Sequence, residues 1–370
     1  MSKAAELANL IGNINAGGGG VGRNLFINGA MNVAQRSTSE TGLGATAGYY
    51  ALDRWKTDFS STAGRLTLTQ DSSVPTGEGF FNSLKVACTT ADTSIAAGEQ
   101  FTIEQTIEAQ NCQVISKGTS GAKPLTLSFY CKANANATYV VELYAQDVDR
   151  RISSLFSVTT DWTKVTVTFP ADTTGEIADD NGAGIKVGWW LHAGSTYSGG
   201  TLQTTWAAAS DNTRATGGDS FFDSTDRTFF LTGCQIEVGQ NATKFEHEPV
   251  ERTLAKCQRY YFKFLEGATK EIGPGWFYNT TYMSTIFRFP TTMRASPTAT
   301  ATSGTNMYIV YRENSGDGFN SFTFENGSTE QYSAYNSSEV GTTANSGVAG
   351  IVRSHPSAGG SAKIEFAAEL

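Results

Sequence analysis

Five side chains with aromatic or imidazole rings lie close together in one strand-rich stretch of the sequence: Trp189, Trp190, His192, Tyr197 and Trp206. Aromatic rings pack on the apolar faces of sugars while nearby polar groups bond the hydroxyls. This pattern indicates a glycan platform built from Trp189, Trp190, Tyr197 and Trp206. The alternative is a sandwich core, because Trp189 and Trp190 are adjacent in a strand and must point to opposite faces. One of them is then a core residue.

A second group of side chains offers oxygen ligands that could hold a structural calcium ion in loops: Asp147, Asp149, Asp179, Asp180 and Asn181. Asp179-Asp180-Asn181-Gly182 does not match a calcium-binding EF-hand loop, because the later glutamate is missing. A solvated turn explains the same residues. Whether a metal is bound stays open.

The sequence contains none of the short motifs that mark catalytic or cofactor sites. There is no G-x-S-x-G nucleophile elbow, and the glycine-rich run 16–22 lacks the Lys-Ser/Thr pair that phosphate binding needs. The 35 acidic residues could include a glycan-cleaving carboxylate pair, but no spacing distinguishes one. We therefore expect a protein that is not an enzyme and has no cofactor.

Composition favours an all-β protein with two or three domains. The 370 residues are 17% charged, below the usual quarter, and 39 are glycine, which suits turns and sheet surfaces better than helices. The net charge of −8 without a basic run indicates no nucleic-acid partner. No apolar run approaches the roughly 20 residues of a membrane helix, and the N-terminus lacks an export signal, so we expect assembly in a cytoplasm.

The cysteines and histidines predict structural roles without metal. The five cysteines form no C-x-x-C pair, so we expect buried free thiols. The three histidines, His192, His247 and His355, are too far apart in sequence to suggest a structural zinc site.

Period-two alternation predicts an antiparallel jelly-roll sandwich at residues 23–250, because no long helical segments separate its strands. The eight strands that the pattern predicts are Gly64–Asp71, Ser83–Cys88, Phe101–Ile107, Pro124–Lys132, Thr138–Ala145, Thr163–Phe169, Ile185–Leu191 and Phe229–Val238.

A short helical connector at 251–258 leads to a second, smaller β-sandwich at 259–370. Its predicted strands are Arg259–Phe264, Ser284–Phe289, Met307–Arg312, Phe319–Phe324, Ala349–Arg353 and Ala362–Ala367. We expect Ser315–Gly318 and Gly341–Gly347 to be mobile, exposed loops. Tyrosine supplies rigid contact area in recognition loops, and this domain carries Tyr278, Tyr282, Tyr308, Tyr311, Tyr332 and Tyr335.

The sequence of residues 1–22 predicts an attachment segment. Lys3–Ile11 is a helix with one apolar face formed by Ala4, Leu7, Ala8 and Ile11, and a glycine-rich tether follows. A helix this short is unstable alone in water, so its face must dock on something. The alternative is a disordered terminus.

Five sequence elements, in order, resemble a group of bacteriophage tail-fibre and related virion proteins. They are Asn24–Arg36 (NLFINGAMNVAQR), Asp53-Arg54-Trp55, Gln235–Gly239 (QIEVG), Ala242–Glu246 (ATKFE) and Cys257–Tyr261 (CQRYY). The resemblance covers most of 24–261. It implies a jelly roll similar to carbohydrate-binding modules and a variable C-terminal sandwich at the distal tip.

The same resemblance implies a virion protein assembled in the host cytoplasm, usually a homotrimer. Residues 1–22 would contact other virion proteins, and the tip would bind a host glycan or receptor. Three short helices can bury together the apolar face that one cannot bury alone. Two alternatives stay open: a capsid-bound head fibre or decoration protein, and a glycan-degrading tailspike.

Overall fold

The structure is a computed structural model that describes residues 2–15, 22–337, 339–340, 347–358 and 362–370. Most of the predicted tether and most of the predicted loop Gly341–Gly347 lie outside these residues. The chain divides into two compact units: residues up to Thr253 together with Leu370, and Leu254–Glu369.

The first unit contains two six-stranded antiparallel sheets. One sheet has the order β1-β3-β4-β12-β6-β9, and the other has the order β11-β8-β7-β10-β5-β2. The strands are β1 Ser39–Leu43, β2 Lys56–Ser60, β3 Arg65–Asp71, β4 Ser83–Thr90, β5 Gln100–Glu108, β6 Leu125–Ala133, β7 Ala137–Ala145, β8 Arg150–Val158, β9 Thr163–Phe169, β10 Ala183–Ala193, β11 Ala207–Ala208 and β12 Thr228–Val238.

Alternating side chains explain how these sheets pack. In β3, for example, Leu66 and Leu68 are buried while their neighbours are half-buried, as a sheet with one covered face requires. The all-β sandwich prediction is confirmed, and each of the eight predicted strands is present. β1, β2, β8 and β11 are additional strands that the alternation did not indicate.

A cluster of aromatic rings fills the centre of this sandwich. The Trp55 and Trp189 ring centroids are 5.5 Å apart, and Phe26 lies 5.7 Å from Trp55. Phe129 meets Trp189 edge to face at 5.5 Å. All four side chains are buried, so they stabilise the contact between the two sheets.

The first two elements of the sequence resemblance form one buried hydrogen-bonded turn. The Asn28 amide donates to the carbonyls of Val33 (2.8 Å) and Asp53 (3.0 Å), and its oxygen accepts from the Val33 N–H (2.9 Å). Trp55 Nε1 donates to the Asn28 carbonyl at 3.1 Å. Asn28 has φ of 60°, a left-handed conformation that asparagine tolerates. These motif residues therefore hold the start of the domain together.

Two later elements of the resemblance, Gln235–Gly239 and Ala242–Glu246, attach the segment that begins at Asn24 to β12, the last strand of the first unit. The Glu246 carboxylate accepts from the Asn24 N–H (3.0 Å), and the Glu246 N–H donates to the Gln235 side chain (2.8 Å). The buried Glu237 carboxylate accepts from Thr243 N–H at 2.9 Å. These hydrogen bonds close the domain.

A buried cation joins loops of the first unit. The Lys117 ammonium donates to the Thr174 carbonyl (2.7 Å) and the Gly175 carbonyl (3.0 Å), and it lies 2.9 Å from the Asp172 carboxylate. Arg150 donates to the same carboxylate at 2.8 and 3.1 Å. Only 2% of the Lys117 side chain is exposed, so this network is shielded from water.

The second unit contains a three-stranded sheet, β13-β22-β16, and a seven-stranded sheet, β18-β17-β21-β14-β15-β20-β19. The strands are β13 Tyr261–Glu266, β14 Glu271–Phe277, β15 Met283–Arg288, β16 Thr298–Ala301, β17 Tyr308–Arg312, β18 Ser315–Phe319, β19 Thr323–Glu325, β20 Gln331–Asn336, β21 Ala349–Ser354 and β22 Lys363–Ala367.

Two sequence predictions in this unit are wrong. Ser315–Gly318 is not a loop, because it pairs with β17 as strand β18. Phe319–Phe324 is not one strand: β18 ends at Phe319 and β19 begins at Thr323, with Phe322 turned into the core between them. The glycines of β18 concealed a strand because glycine contributes no alternating side chain.

Three α-helices and five short 3-10 helices complete the described residues. They are α1 Lys3–Asn15, α2 Ser195–Ser198, α3 Val250–Gln258, and the 3-10 helices Ala109–Ile115, Gln146–Val148, Asp211–Thr213, Phe221–Asp223 and Pro356–Ala358. Among the described residues, no helix is long and apolar enough to cross a membrane. All five cysteines are buried and free, as predicted.

Helix α1 turns its polar side toward its own unit. Glu6 lies 3.4 Å from the Lys244 ammonium, and a cavity of about 300 Å³ separates the helix from Arg23 and Lys164. Leu7 is 56% exposed and Ile11 48% exposed. The apolar face formed by Ala4, Leu7, Ala8 and Ile11 is therefore left facing solvent.

Candidate functional site

The predicted tryptophan platform does not form a surface. Trp189 and Trp190 point to opposite sides of β10, as strand geometry requires, and Trp189 is fully buried between the sheets. Trp190 lies on the outer face but is only 3% exposed, because Tyr197 and the segment after it cover the ring. A sugar cannot reach either indole in this conformation.

Trp190 packs instead against a charged pair. The Arg214 guanidinium lies 4.4 Å from the Trp190 ring centroid and donates to Glu142 at 2.8 and 3.0 Å. The Tyr197 ring centroid is 5.3 Å from that of Trp190. The half-buried Trp206 bonds elsewhere, since its Nε1 donates to the Pro170 carbonyl at 2.8 Å. Trp190 and Tyr197 thus pack together on the outer face, whereas Trp189 and Trp206 contact the main core, so the four predicted glycan residues do not form one exposed surface.

The rest of this outer sheet face carries charges that neutralise one another. The Glu104 carboxylate on β5 accepts from Lys56, its register partner on β2 (3.2 Å), and lies 3.0 Å from Lys186, which is two residues out of register on β10. Burial, and then the charge of Glu104, raise the pKa of the nearby Asp58 carboxyl. Because these groups satisfy each other, the face offers few unpaired groups to a ligand.

A hydrogen-bonded chain of Ser220, His192 and Glu99 has the composition of a catalytic triad. Ser220 Oγ lies 2.8 Å from His192 Nδ1, and His192 Nε2 lies 2.9 Å from Glu99. However, Ser220 Oγ also accepts the Phe222 N–H at 3.1 Å and caps the following 3-10 helix. His192 and Glu99 are buried, and the chain links the end of β10 to the residue before β5 and to the cap of the 3-10 helix Phe221–Asp223.

The predicted calcium ligands mostly bond to nearby backbone and side-chain groups. Asp147 accepts from the Ala178 N–H (3.0 Å), Asp149 from the Tyr144 hydroxyl (2.8 Å), and Asp180 from the Gly182 N–H (2.7 Å). Within the described part of the chain, no three His, Cys, Asp or Glu residues converge as metal ligands do. The Asp180 bond is that of a turn, to which Asp179 and Asn181 also belong, whereas the Asp147 bond joins two segments that are distant in sequence.

The outer face of the seven-stranded sheet is the most distinctive exposed surface. Strand register shows which side chains share it: Trp276 pairs with Ser284, Ser284 with Tyr335, and Tyr311 with Ile351. The opposite face points into the core through residues such as Val310 and Val352. Since side chains alternate along a strand, the first group must face outward.

We call this surface the aromatic strip. It crosses β17, β21, β14, β15 and β20, and it consists of Tyr311, Ile351, Pro274, Trp276, Tyr278, Tyr282 and Tyr335. Tyr278 is 75% exposed, Ile351 48% and Trp276 40%. A run of exposed apolar and aromatic side chains on this scale is typical of a binding surface.

Contacts within the strip hold its rings in place. Tyr282 and Tyr335 stack with centroids 4.6 Å apart and planes 15° from parallel, and Tyr278 lies 6.1 Å from Tyr282. The Arg353 guanidinium covers the Tyr311 ring at 4.3 Å. Rings fixed before binding lose little conformational entropy when a ligand arrives.

Polar groups at both ends of the strip can bond a ligand's hydroxyls. Tyr282 donates its hydroxyl to Glu325 at 3.1 Å, and burial together with this bond raises the pKa of Tyr282. At the other end, Arg353 contacts no acceptor among the described residues while it stacks on Tyr311. Stacking rings with flanking donors and acceptors are what a sugar-binding surface needs.

Of the six predicted recognition tyrosines, four belong to the strip. Tyr308 is fully buried, and the half-buried Tyr332 packs on Phe324 and Phe366, so neither is available for recognition. The sequence reading missed Trp276, Pro274 and Ile351. The alternation in Gly273–Phe277 (GPGWF) was the available signal, but its two glycines and proline hid the strand.

Comparisons with known proteins found distant structural similarities and no family. No family model matches the chain, and no curated protein matches it. One similar solved structure is a family 4 carbohydrate-binding module, with 12% identity and TM-score 0.30, covering 57% of this chain and 97% of that one. Another is a family 61 module in complex with β-1,4-galactotriose, with 8% identity and TM-score 0.30, covering 59% and 99%.

A third similar structure is the enzymatically active domain of tailspike protein 4 from bacteriophage CBA120. It has 11% identity and TM-score 0.30, and the match covers 58% of this chain. The chain spans only 21% of that tailspike structure. Every one of these identities is below 25%, so the fold described above rests on the strand registers of this chain.

Proposed function

We propose that this chain is a non-enzymatic, glycan-binding structural protein of a bacteriophage particle, acting as a tail fibre in host attachment. The aromatic strip carries the binding part of the proposal, because exposed, pre-ordered rings with flanking polar groups match the chemistry of sugar recognition. The five ordered motifs that resemble phage fibre proteins support the virion part.

The binding proposal is tested by immobilising host surface polysaccharide and measuring retention of the full chain. We expect retention by the wild type and loss in a Trp276→Ala, Tyr278→Ala double variant. Phe81→Ala is the matched control, because Phe81 is 78% exposed but belongs to the other unit. Equal retention of wild type and the double variant would count against the strip.

The attachment role of residues 1–22 is proposed from helix α1. Its apolar face is exposed, so association with other copies would bury what one chain leaves in water. We expect Leu7→Glu to lower the mass of the assembly in sedimentation, whereas Lys3→Glu, at another exposed position, leaves it unchanged. A wild-type chain that sediments as a monomer would contradict the proposed trimer.

Location on the particle separates the tail fibre from a head fibre or decoration protein. Cross-linking through residues 1–22 should recover tail components in the first case and the major capsid protein in the second. The glycan-degrading alternative predicts release of reducing ends from host polysaccharide. We expect none.

A further inference from the structure

The shape of the aromatic strip suits a ligand longer than one sugar. Tyr311 lies on β17 and Tyr335 on β20, which are separated by four inter-strand spacings. At about 4.8 Å per spacing, the strip is about 19 Å long and runs across the strands. Its rings stand on a sheet face rather than around a cleft, so a chain can extend past both ends.

Charge along the strip suits a neutral ligand. Its middle, formed by Ile351, Pro274 and Trp276, carries no ionisable group, and Arg353 and Glu325 near opposite ends have opposite signs. The unit that carries the strip, Leu254–Glu369, has nine basic and nine acidic residues, so it has no net positive charge to attract an acidic polysaccharide. Ring stacking does not depend on ligand charge, so hydroxyls and apolar sugar faces are the groups to be recognised.

The glycines of β18 add a structural reason for the position of Tyr311. Gly316 pairs with Tyr311, and a Cβ at Gly316 would lie 3.0 Å from the tyrosine ring. The ring therefore leans over the glycine, with Arg353 against it at 4.3 Å. Tyr311 is thus fixed at one end of the strip as firmly as the Tyr282–Tyr335 stack is at the other.

We infer that the strip binds an internal stretch of an extended, uncharged oligosaccharide whose axis crosses the strands. The inference rests on the proposed glycan-binding function and adds the class of glycan. Several sugar rings then contact the strip at once, each against a separate apolar or aromatic side chain. Affinity must accordingly increase with chain length until the strip is covered.

The test is isothermal titration of the full chain with neutral gluco-, galacto- and manno-oligosaccharides from mono- to hexasaccharide, and with oligogalacturonate as the acidic probe. We expect Kd to fall at least tenfold between the mono- and hexasaccharide of the preferred series. Trp276→Ala or, as a second variant at a more exposed position, Tyr278→Ala should weaken hexasaccharide binding at least tenfold. Phe81→Ala should have no effect.

Each outcome bears on a different statement. No binding of any glycan, neutral or acidic, would overturn the proposed function itself. Binding that both strip variants leave unchanged would place the site elsewhere. Equal affinity for mono- and hexasaccharide would overturn the extended ligand, and preference for oligogalacturonate would overturn its neutrality, while both results would leave glycan binding standing.

Discussion

Replacing Lys117 with methionine tests whether the buried cation holds the first unit together. Methionine has similar length but donates no hydrogen bond, so the Thr174 and Gly175 carbonyls lose this donor and the Asp172 carboxylate loses one of its two cationic partners. Removing one member of a buried ion pair typically costs about 3–5 kcal/mol, because the remaining charge stays buried. Arg150 still donates to Asp172, so we expect a loss of about 3 kcal/mol.

Urea unfolding followed by tryptophan fluorescence measures this loss. Five of the six tryptophans, all but Trp276, belong to the first unit, so the signal reports mainly on that unit. With a slope of about 3 kcal/mol per molar, the Lys117→Met midpoint should fall by about 1 M. Lys123→Met is the matched control, because the Lys123 ammonium makes one bond, to the exposed Val114 carbonyl at 3.2 Å.

The pH dependence of the same variant gives a second, independent readout. Burial alone would raise the pKa of Asp172, but hydrogen bonds from Arg150 and Lys117 hold it below its usual value of 3.8. The stability that this depressed pKa contributes is present above about pH 4 and is lost as pH falls through the folded-state pKa. Without Lys117 the folded pKa rises, so the difference between wild type and variant should shrink in acid.

Two results would refute this reasoning. One is a Lys117→Met midpoint within the error of the Lys123→Met control, which would mean that water replaces the ammonium without cost. The other is a difference between wild type and Lys117→Met that stays constant from pH 7 to pH 3. In that case the loss would come from packing and would not involve the charge on Asp172.

Three further predictions concern side chains of the first unit. Asn28→Ala should cost at least about 2 kcal/mol in the same urea assay, since it removes three buried hydrogen bonds to the backbone of Val33 and Asp53; an unchanged midpoint would contradict this. Burial raises the pKa of Cys112 and Cys131 to about 12, so a thiol reagent should react with them only after urea is added, and reaction in native buffer would argue against burial. A fluorophosphonate probe should not label Ser220, because its hydroxyl is held as the cap of the 3-10 helix Phe221–Asp223; mass-spectrometric detection of labelled Ser220 would show that it is an activated nucleophile.

The sequence predicted strands well wherever one face of the sheet is apolar and the other face is polar. Thr163–Phe169 was predicted with the bounds observed, because Val165, Val167 and Phe169 alternate with polar residues. β8 was missed because its sequence, RRISSLFSV, places small polar residues where alternation would require apolar ones. Long-range pairing, and not local pattern, decides such strands.

The candidate site was harder to predict because exposure depends on what covers a face. Trp190 does face outward from its strand, as the sequence allowed, but Tyr197 and Arg214 arrive from later in the chain and bury it. The sequence of β10 alone gives no sign that these later residues cover the Trp190 ring. Tyr278 and Tyr282 were named as candidates, yet only the register of five strands places them beside Trp276.

The motif residues stabilise the first unit, whereas the strip residues form the proposed binding surface, and this difference leads to a final prediction. Asn28, Glu237 and Glu246 hold the first unit closed by buried or half-buried hydrogen bonds, and the five ordered motifs of the resemblance end by Tyr261. The strip begins only at Pro274, and its rings contribute to no core. Trp276→Ala should therefore weaken glycan binding without moving the urea midpoint of the first unit. Asn28→Ala should lower that midpoint and, in urea-free buffer where both units stay folded, leave the affinity of the strip intact. If the two variants changed both properties together, recognition and architecture would not be separable in this chain.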